Sequence, residues 1–278
     1  MTGNGPLQGR TILMSGGSRG IGKAIATRAA RDGANVALLA KTAEPHPRLQ
    51  GTVHTAAAEI DAAGGHALAI VGDVRDESAI ERAVTATVER FGGIDVVINN
   101  ASAIDLSPST DLSAKKFDLM QQIEVRGTFL LTRTAVPHLR RSDHAHVLTL
   151  SPPLNLSKRW LGASVGYMLA KYAMTLAALG FAAEFEREGI ASNTLWPRTI
   201  IATAAVQNVL GGDEAMARSR RPEIMADAAH AILARAPMER TGQTLIDDEV
   251  LAEVGVTDLS RYQHNNDADL QMDIFVDP

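Results

Sequence analysis

Residues Thr11 to Gly22 read TILMSGGSRGIG: a short apolar run, a turn of glycine and serine, and the start of a helical pattern. Strand, glycine turn and helix in immediate succession open a βαβ unit, because glycine reaches the tight backbone geometry such a turn requires. The alternation then repeats. Apolar runs at Val36–Ala40, His66–Val71 and Ile94–Ile98 are separated by helical patterns over Ile21–Arg31, Thr52–Ala63 and Glu77–Phe91. Short, continuously apolar runs between helices predict parallel strands buried on both faces.

The second half extends the pattern with longer helices. Ser113–Leu139 reads as one long helix, His146–Leu150 as a fifth strand, Ser164–Glu186 as a second long helix and Ile190–Leu195 as a sixth strand. Thr203–Ala234 reads as helical with breaks at Gly211, Gly212 and Pro222, and Leu245 and Ile246 begin a last strand. With no repeat, low-complexity tract or linker, the expectation is one α/β domain over residues 1–278: a single doubly wound (Rossmann) parallel β-sheet with helices on both faces. The tail from about 252 to 278 is polar and lacks a clear period.

Ligands of such sheets lie beyond the carboxyl ends of the strands, and the free N–H groups at a helix start attract a pyrophosphate. Gly16, Ser18, Arg19, Gly20, Ile21 and Gly22 are therefore candidate dinucleotide-binding residues; the bland alternative is a merely structural turn. An acidic residue that would bind an adenosine ribose belongs about 20 residues further on. Counting 19 residues from Gly22 reaches Lys41, and no Asp or Glu occupies Leu38–Thr42. Lys41 and Arg19 can instead pair with a 2′-phosphate, which favours NADP(H) over NAD(H). The competing reading is two solvated surface cations. At two further strand ends stand Asp73 and the cluster Asn99-Asn100-Ala101-Ser102. Asp73 is a candidate contact for adenine; Asn100 and Ala101 are candidates to line the ribose or to stabilise the strand end.

Tyr167-Met168-Leu169-Ala170-Lys171 places a phenol and an ammonium on one helical face. A nearby cation favours phenolate, so Lys171 is expected to lower the pKa of Tyr167 and fit it for proton transfer. Alone, such a pair is more often ordinary surface; after a glycine turn and a polar strand-end cluster it reads as catalytic.

With these residues in place, the chain resembles the short-chain dehydrogenase/reductase family. The matching elements are Gly16–Gly22, Asp73-Val74, Asn99-Asn100-Ala101, Tyr167-x-x-x-Lys171 and Pro197, in the family's order. The resemblance implies a nicotinamide cofactor, hydride transfer, Tyr167 as proton donor or acceptor, and Lys171 on the nicotinamide ribose. It also implies that Val74 and Pro197 line the cofactor and that Thr199 and Ile200 sit near its amide. A narrower resemblance, to one subgroup, is carried by Lys41–Pro47, Ser151–Leu156 and Trp196–Gly212. Animal members of that subgroup have a sterol-carrier domain after the reductase portion, and Asp247–Pro278 resembles the end of that portion.

Three positions depart from the family. Its usual serine after the fifth strand falls on Pro152, so Ser151 or Asn155 replaces it, or nothing does; its assisting asparagine aligns with Glu124, and a glycine after Pro197 is Arg198. A carboxylate at Glu124 is expected to offset the effect of Lys171, and Arg198 is either a recognition site for an anionic substrate or a surface cation.

Composition bounds the rest. The 278 residues are 45% hydrophobic and 21% charged, with a net charge of −5, so no basic excess marks a nucleic-acid partner. There is no cysteine, which excludes disulfides, thiolate metal sites and a cysteine nucleophile, and no metal is expected. No secretory signal or uninterrupted membrane-length apolar stretch is visible, which predicts a cytoplasmic protein. The expected activity is that of an NADP(H)-dependent oxidoreductase on a small carbonyl or alcohol, of lipid origin by resemblance. The alternative is a cofactor-binding protein with little catalysis. A homodimer or homotetramer, joined through the two long helices, is the family's habit.

Overall fold

Seven strands form one parallel sheet in the order β3-β2-β1-β4-β5-β6-β7. They are β1 (Thr11–Ser15), β2 (Asn35–Ala40), β3 (His66–Val71), β4 (Val96–Asn99), β5 (His146–Thr149), β6 (Ala191–Trp196) and β7 (Thr244–Ile246). This is a computed structural model, and it describes residues 5–45 and 50–277. His46 and Pro47, part of the narrower resemblance, lie outside the described residues.

Strand periodicity sorts the core into two layers. Ile12 and Met14 point to one face, where they meet α1 (Gly20–Ala30), α2 (Val53–Ala62) and α9 (Glu223–Leu233); Leu13 points to the other, toward α3 (Glu77–Phe91), α5 (Gly127–Leu139) and α7 (Val165–Glu184). All three side chains are wholly buried, as the apolar runs predict for a sheet covered on both sides. The shorter helices are α4 (Ala114–Met120), α6 (Lys158–Ala163), α8 (Gly212–Ala217) and α10 (Asp247–Glu253). The doubly wound fold expected from the sequence is thus present. Because β1 lies between β2 and β4, the chain reverses direction across the sheet there and leaves a crevice above the carboxyl ends of β1 and β4.

Three elements differ from expectation. The long helix over Ser113–Leu139 is not uniform: α4 passes through a π-helical turn, Gln121–Arg126, before α5. Its apolar spacing looks helical either way, so the register shift is invisible in the sequence. A second π-turn, Val206–Leu210, lies in the stretch expected to be a broken helix.

The third difference is the tail. Its polar composition conceals a strap that returns across the sheet. Met272 forms an antiparallel bridge with Thr199, the Asp273 amide donates to Arg198 O at 2.9 Å, and Trp196 Nε1 donates to Ile274 O at 3.0 Å. The strap delivers Phe275, 1% exposed, into an aromatic cluster with Trp160, Tyr167, Tyr172 and Trp196. Phe275 holds a φ of 69°, a left-handed conformation that costs a side-chain-bearing residue about 1–3 kcal/mol. Burial of the ring outweighs that strain.

Among the described residues, α7 is long and apolar enough to span a membrane. It carries a buried lysine and packs on β5 and β6, as a core helix of the sheet layer does.

Truncating Phe275 to alanine retains the strained backbone and removes its packing. Unfolding by urea should show a loss of about 3–5 kcal/mol, the range for a deleted buried phenylalanine. A loss under 1 kcal/mol would mean that the strap does not pack as described.

Candidate active site

The glycine turn is built against the end of β4. Asn100 Nδ2 donates to Ser15 O at 3.2 Å and Gly16 O at 2.8 Å, while Ser15 Oγ accepts from the amides of Asn100 and Ala101, each at 3.2 Å. Gly22 explains its own identity here: a Cβ would come within 2.4 Å of Asn100 Nδ2. Gly16 has a φ of 76°, and its Cβ would fall 2.8 Å from the Ala101 backbone. Asn100 therefore supports the turn with its side chain while also bordering the crevice.

The start of α1 has neither a side-chain cap nor an acidic residue in its first turn. Its free N–H groups and positive dipole end are left for an anion. Arg19, Gly20 and Ile21 from this end border the crevice. The residues present thus fit a dinucleotide pyrophosphate.

Two adjoining hollows occupy the crevice. A groove of about 690 Å³ is lined by Gly16, Ser18, Arg19, Lys41, Asp73, Val74 and Ala101. A smaller cavity of about 240 Å³ holds Tyr167, Lys171, Pro197 and Asp273 among apolar neighbours such as Ile104, Leu150, Trp196, Ile201 and Met225. Arg19, Asn100 and Ser102 border both. At the groove end, Asp73 is held by Arg75, whose guanidinium donates to both carboxylate oxygens at 2.7–3.0 Å. That pairing, with Lys41 nearby, lowers the Asp73 pKa. Arg19 donates to the carbonyls of Gln50 and Gly51, and Lys41 is exposed.

Most of the expected site residues therefore converge, but four do not reach the hollows. Gly22 is buried behind Asn100. Ser151 is wholly buried and accepts from Thr175 Oγ1 at 3.0 Å, so the hydroxyl expected to act on substrate belongs to the packing between β5 and α7. Asn155, its possible replacement, gives its side chain to Asp277 and its carbonyl to Tyr172. Thr199 and Ile200 are buried under the strap, while Ile201 and Thr203 take the cavity wall. Arg198 is likewise no anion receptor: its guanidinium is engaged by Asp248 and Glu249.

The chemistry around Tyr167 also corrects an expectation. Tyr167 and Lys171 are each 3% exposed, and Lys171 Nζ lies 5.9 Å from the Tyr167 ring centre. Lys171 Nζ donates to Leu150 O at 3.1 Å. Burial pushes the Tyr167 phenol well above its ordinary range, and the carboxylates of Glu124 and Asp273 push it further. Burial also lowers the Lys171 pKa, with Glu124 and Asp273 opposing that shift. Glu124, 0% exposed, sits in the π-turn; its Oε1 accepts from Ser102 Oγ at 2.7 Å and from the Ala103 amide at 3.1 Å. Its Oε2 is buried without a partner. Burial raises the Glu124 pKa, and Lys171 opposes that shift.

Two site residues escaped the sequence reading. Ser102 belongs to the polar strand-end cluster and had a usable signal in its position. Asp273 had none, because only the returning strap brings it to the cavity.

The short chain dehydrogenase family profile matches residues 10–213. The chain is 51% identical over 273 residues to hydroxysteroid dehydrogenase-like protein 2 of Danio rerio and 47% identical to the protein of that name in Homo sapiens. Each match covers 98% of this chain and 65% of the relative, so the chain spans about two thirds of those proteins' length. A crystal structure from Xanthomonas campestris is 53% identical, with a TM-score of 0.95 over 98% of this chain and 99% of that one. A short chain dehydrogenase structure from Mycobacterium thermoresistibile is 58% identical, with a TM-score of 0.92 over 98% and 96% of the two chains.

Ser151→Ala should lower stability by about 0.5–1.5 kcal/mol, the worth of one intramolecular hydrogen bond, as read from the urea midpoint. An unchanged midpoint would show that the Thr175 contact contributes nothing to packing.

Proposed function

The chain belongs to the short-chain dehydrogenase family, whose members are nicotinamide-dependent oxidoreductases, and on that premise we propose that it is an NADP(H)-dependent enzyme interconverting a carbonyl and an alcohol. The observation that carries this reading is one continuous crevice. An uncapped helix start and Lys41 border its groove, and the phenol of Tyr167 faces its apolar cavity.

The glycine turn and the α1 amides hold the pyrophosphate. Lys41 pairs with the 2′-phosphate, assisted by the neutralisation of Asp73 through Arg75, which removes a source of repulsion. Lys171 reaches the nicotinamide ribose, and Val74, Ala101 and Pro197 border the cofactor. When bound, the nicotinamide supplies or accepts the hydride. Tyr167 Oη gives the proton to the substrate oxygen in reduction and takes it in oxidation. Ser102, rather than Ser151, is the hydroxyl at the cavity able to meet that oxygen. The apolar wall from Ile104 to Met225 excludes water and suits an aliphatic or terpenoid body, which supports a lipid-derived substrate. Phe129, Leu169 and Leu176 are exposed on α5 and α7, in keeping with a homodimer or homotetramer joined through those helices.

The burial of Ser151 is the observation that favours the second reading, a cofactor-binding protein with little turnover. Tyr167→Phe separates the two. With a panel of lipid-like ketones and NADPH, the variant should lose at least about 100-fold in kcat while NADPH affinity changes little. Full turnover in the variant would remove Tyr167 from the mechanism.

Lys41→Ala tests the cofactor. Fluorescence titration should show NADPH binding weakened by about tenfold or more, with NADH nearly unaffected. Equal losses for both cofactors would dismiss the phosphate contact.

A further inference from the structure

Glu124 falls where the family's assisting asparagine aligns, and its carboxyl has a defined set of neighbours. Oε1 accepts from Ser102 Oγ at 2.7 Å and from the Ala103 amide at 3.1 Å, while Oε2 is buried with no partner. The residue is wholly buried in the π-turn that separates α4 from α5. Ser102 lies at the opposite extreme. It is exposed, borders both hollows of the crevice and shares the smaller one with Tyr167.

We propose that the Ser102–Glu124 pair makes the apolar cavity a receptor for a ligand hydroxyl, so that it holds an alcohol more tightly than the ketone of the same skeleton. A serine hydroxyl has one proton to donate and two lone pairs that accept. The proton of Ser102 is committed to Glu124 Oε1: 2.7 Å is the usual length of an O–H···O bond, and the Ala103 amide holds the acceptor in place. What remains for the cavity is lone pairs. The direction is the same whether or not Glu124 is ionised. A proton on the carboxyl belongs on the unpartnered Oε2, since Oε1 already receives two donors.

An alcohol and a ketone meet this arrangement differently. The oxygen of either can accept from the Tyr167 phenol, another hydroxyl bordering the cavity. Only the alcohol has a proton to give to Ser102. A carbonyl oxygen brought to the same point sets lone pairs against lone pairs, and freeing the serine proton breaks its bond to a buried carboxyl. Two neighbouring donors are already spent, both amide protons of Asn100 on the glycine turn and the Trp196 indole on Ile274 O. The walls formed by Ile104, Leu150, Ile201 and Met225 suit a compact hydrocarbon body, so the ligand class is a hydroxyl on an apolar skeleton.

Sites built around a hydrogen bond to a ligand hydroxyl discriminate against the analogue that lacks it, because the site's own polar atom is left unpaired. In a carbonyl reductase the alcohol so favoured is the product. Calling it a product rests on the proposed function; the preference itself is a matter of binding, and a ligand that never reacts shows it equally.

Menthol and menthone share one skeleton and differ only at the oxygen-bearing carbon, so they serve as the probe pair. Isothermal calorimetry on the full chain without added cofactor measures both affinities with no turnover, and the outcome stands apart from that of Tyr167→Phe. Menthol should bind about three- to tenfold more tightly than menthone, the worth of one hydrogen bond. Ser102→Ala should bring the two affinities together by weakening menthol alone. Glu124→Leu removes the acceptor, frees the serine proton, and should bring menthone level with menthol or ahead of it. Glu124→Gln should keep the wild-type preference, because the Ala103 amide selects the side-chain oxygen for the Oε1 position. A merely structural role for the pair would instead weaken both probes alike. If Glu124→Leu does not fold, Ser102→Ala and Glu124→Gln carry the test by themselves. The inference is overturned if the wild type binds menthone as tightly as menthol or binds neither, or if the preference survives Ser102→Ala.

Discussion

The constraint on which the rest of the site depends is a buried ammonium. Lys171 is 3% exposed, on a helix whose buried face is mostly apolar. An uncompensated charge in such a place costs several kcal/mol. The fold answers from four places. The end of β5 offers Leu150 O, the Trp196 ring lies 5.4 Å from Nζ, and two carboxylates are brought in by elements that look irregular on their own. The π-turn at Gln121–Arg126 turns Glu124 inward, and the strap turns Asp273 inward. Both irregularities make sense as compensation for one cation, and π-turns are common where a helix serves a site.

That arrangement gives the crevice two unlike halves. Toward β2 and β3 it is wide, with backbone amides and an exposed lysine, suited to phosphates. Toward β5 and β6 it is narrow, apolar and roofed by the strap, with the phenol and its charges below. Asn100 stands at the junction and ties the glycine turn to β4, while Tyr167 is carried by α7, which packs on β5 and β6. Positioning of this kind is what a reaction between bound partners requires.

What was legible in the sequence was local. The apolar runs, the glycine turn beside its strand, and the Tyr167–Lys171 spacing each lie within a few residues, and each expresses a period or a turn that the backbone enforces. The strand limits moved by a residue or two at β4 and β5, as hydrogen-bond ends do. Ser151 was misplaced because adjacency to a strand end does not fix which way a side chain faces, and its hydroxyl faces Thr175 in the packing. Asp273 and Phe275 were illegible because their partners, Lys171 and Trp160, are about a hundred residues away. A polar tail with two isolated buried rings, Tyr262 and Phe275, leaves no periodic trace. The expected lowering of the Tyr167 pKa failed for a related reason: a cation four residues away is visible in the sequence, whereas burial and two distant carboxylates are not.

The central claim is that this crevice reduces carbonyls with a nicotinamide cofactor under the control of Tyr167. Deuterium placed on C4 of NADPH offers the most direct measurement, with mass spectrometry of products from lipid-like ketones after incubation with the intact protein. The account predicts deuterium on the carbinol carbon in the wild type and its near absence with Tyr167→Phe. A wild-type protein that binds NADPH yet transfers no label to any ketone in the panel, or a Tyr167→Phe protein that transfers it equally well, would contradict the account.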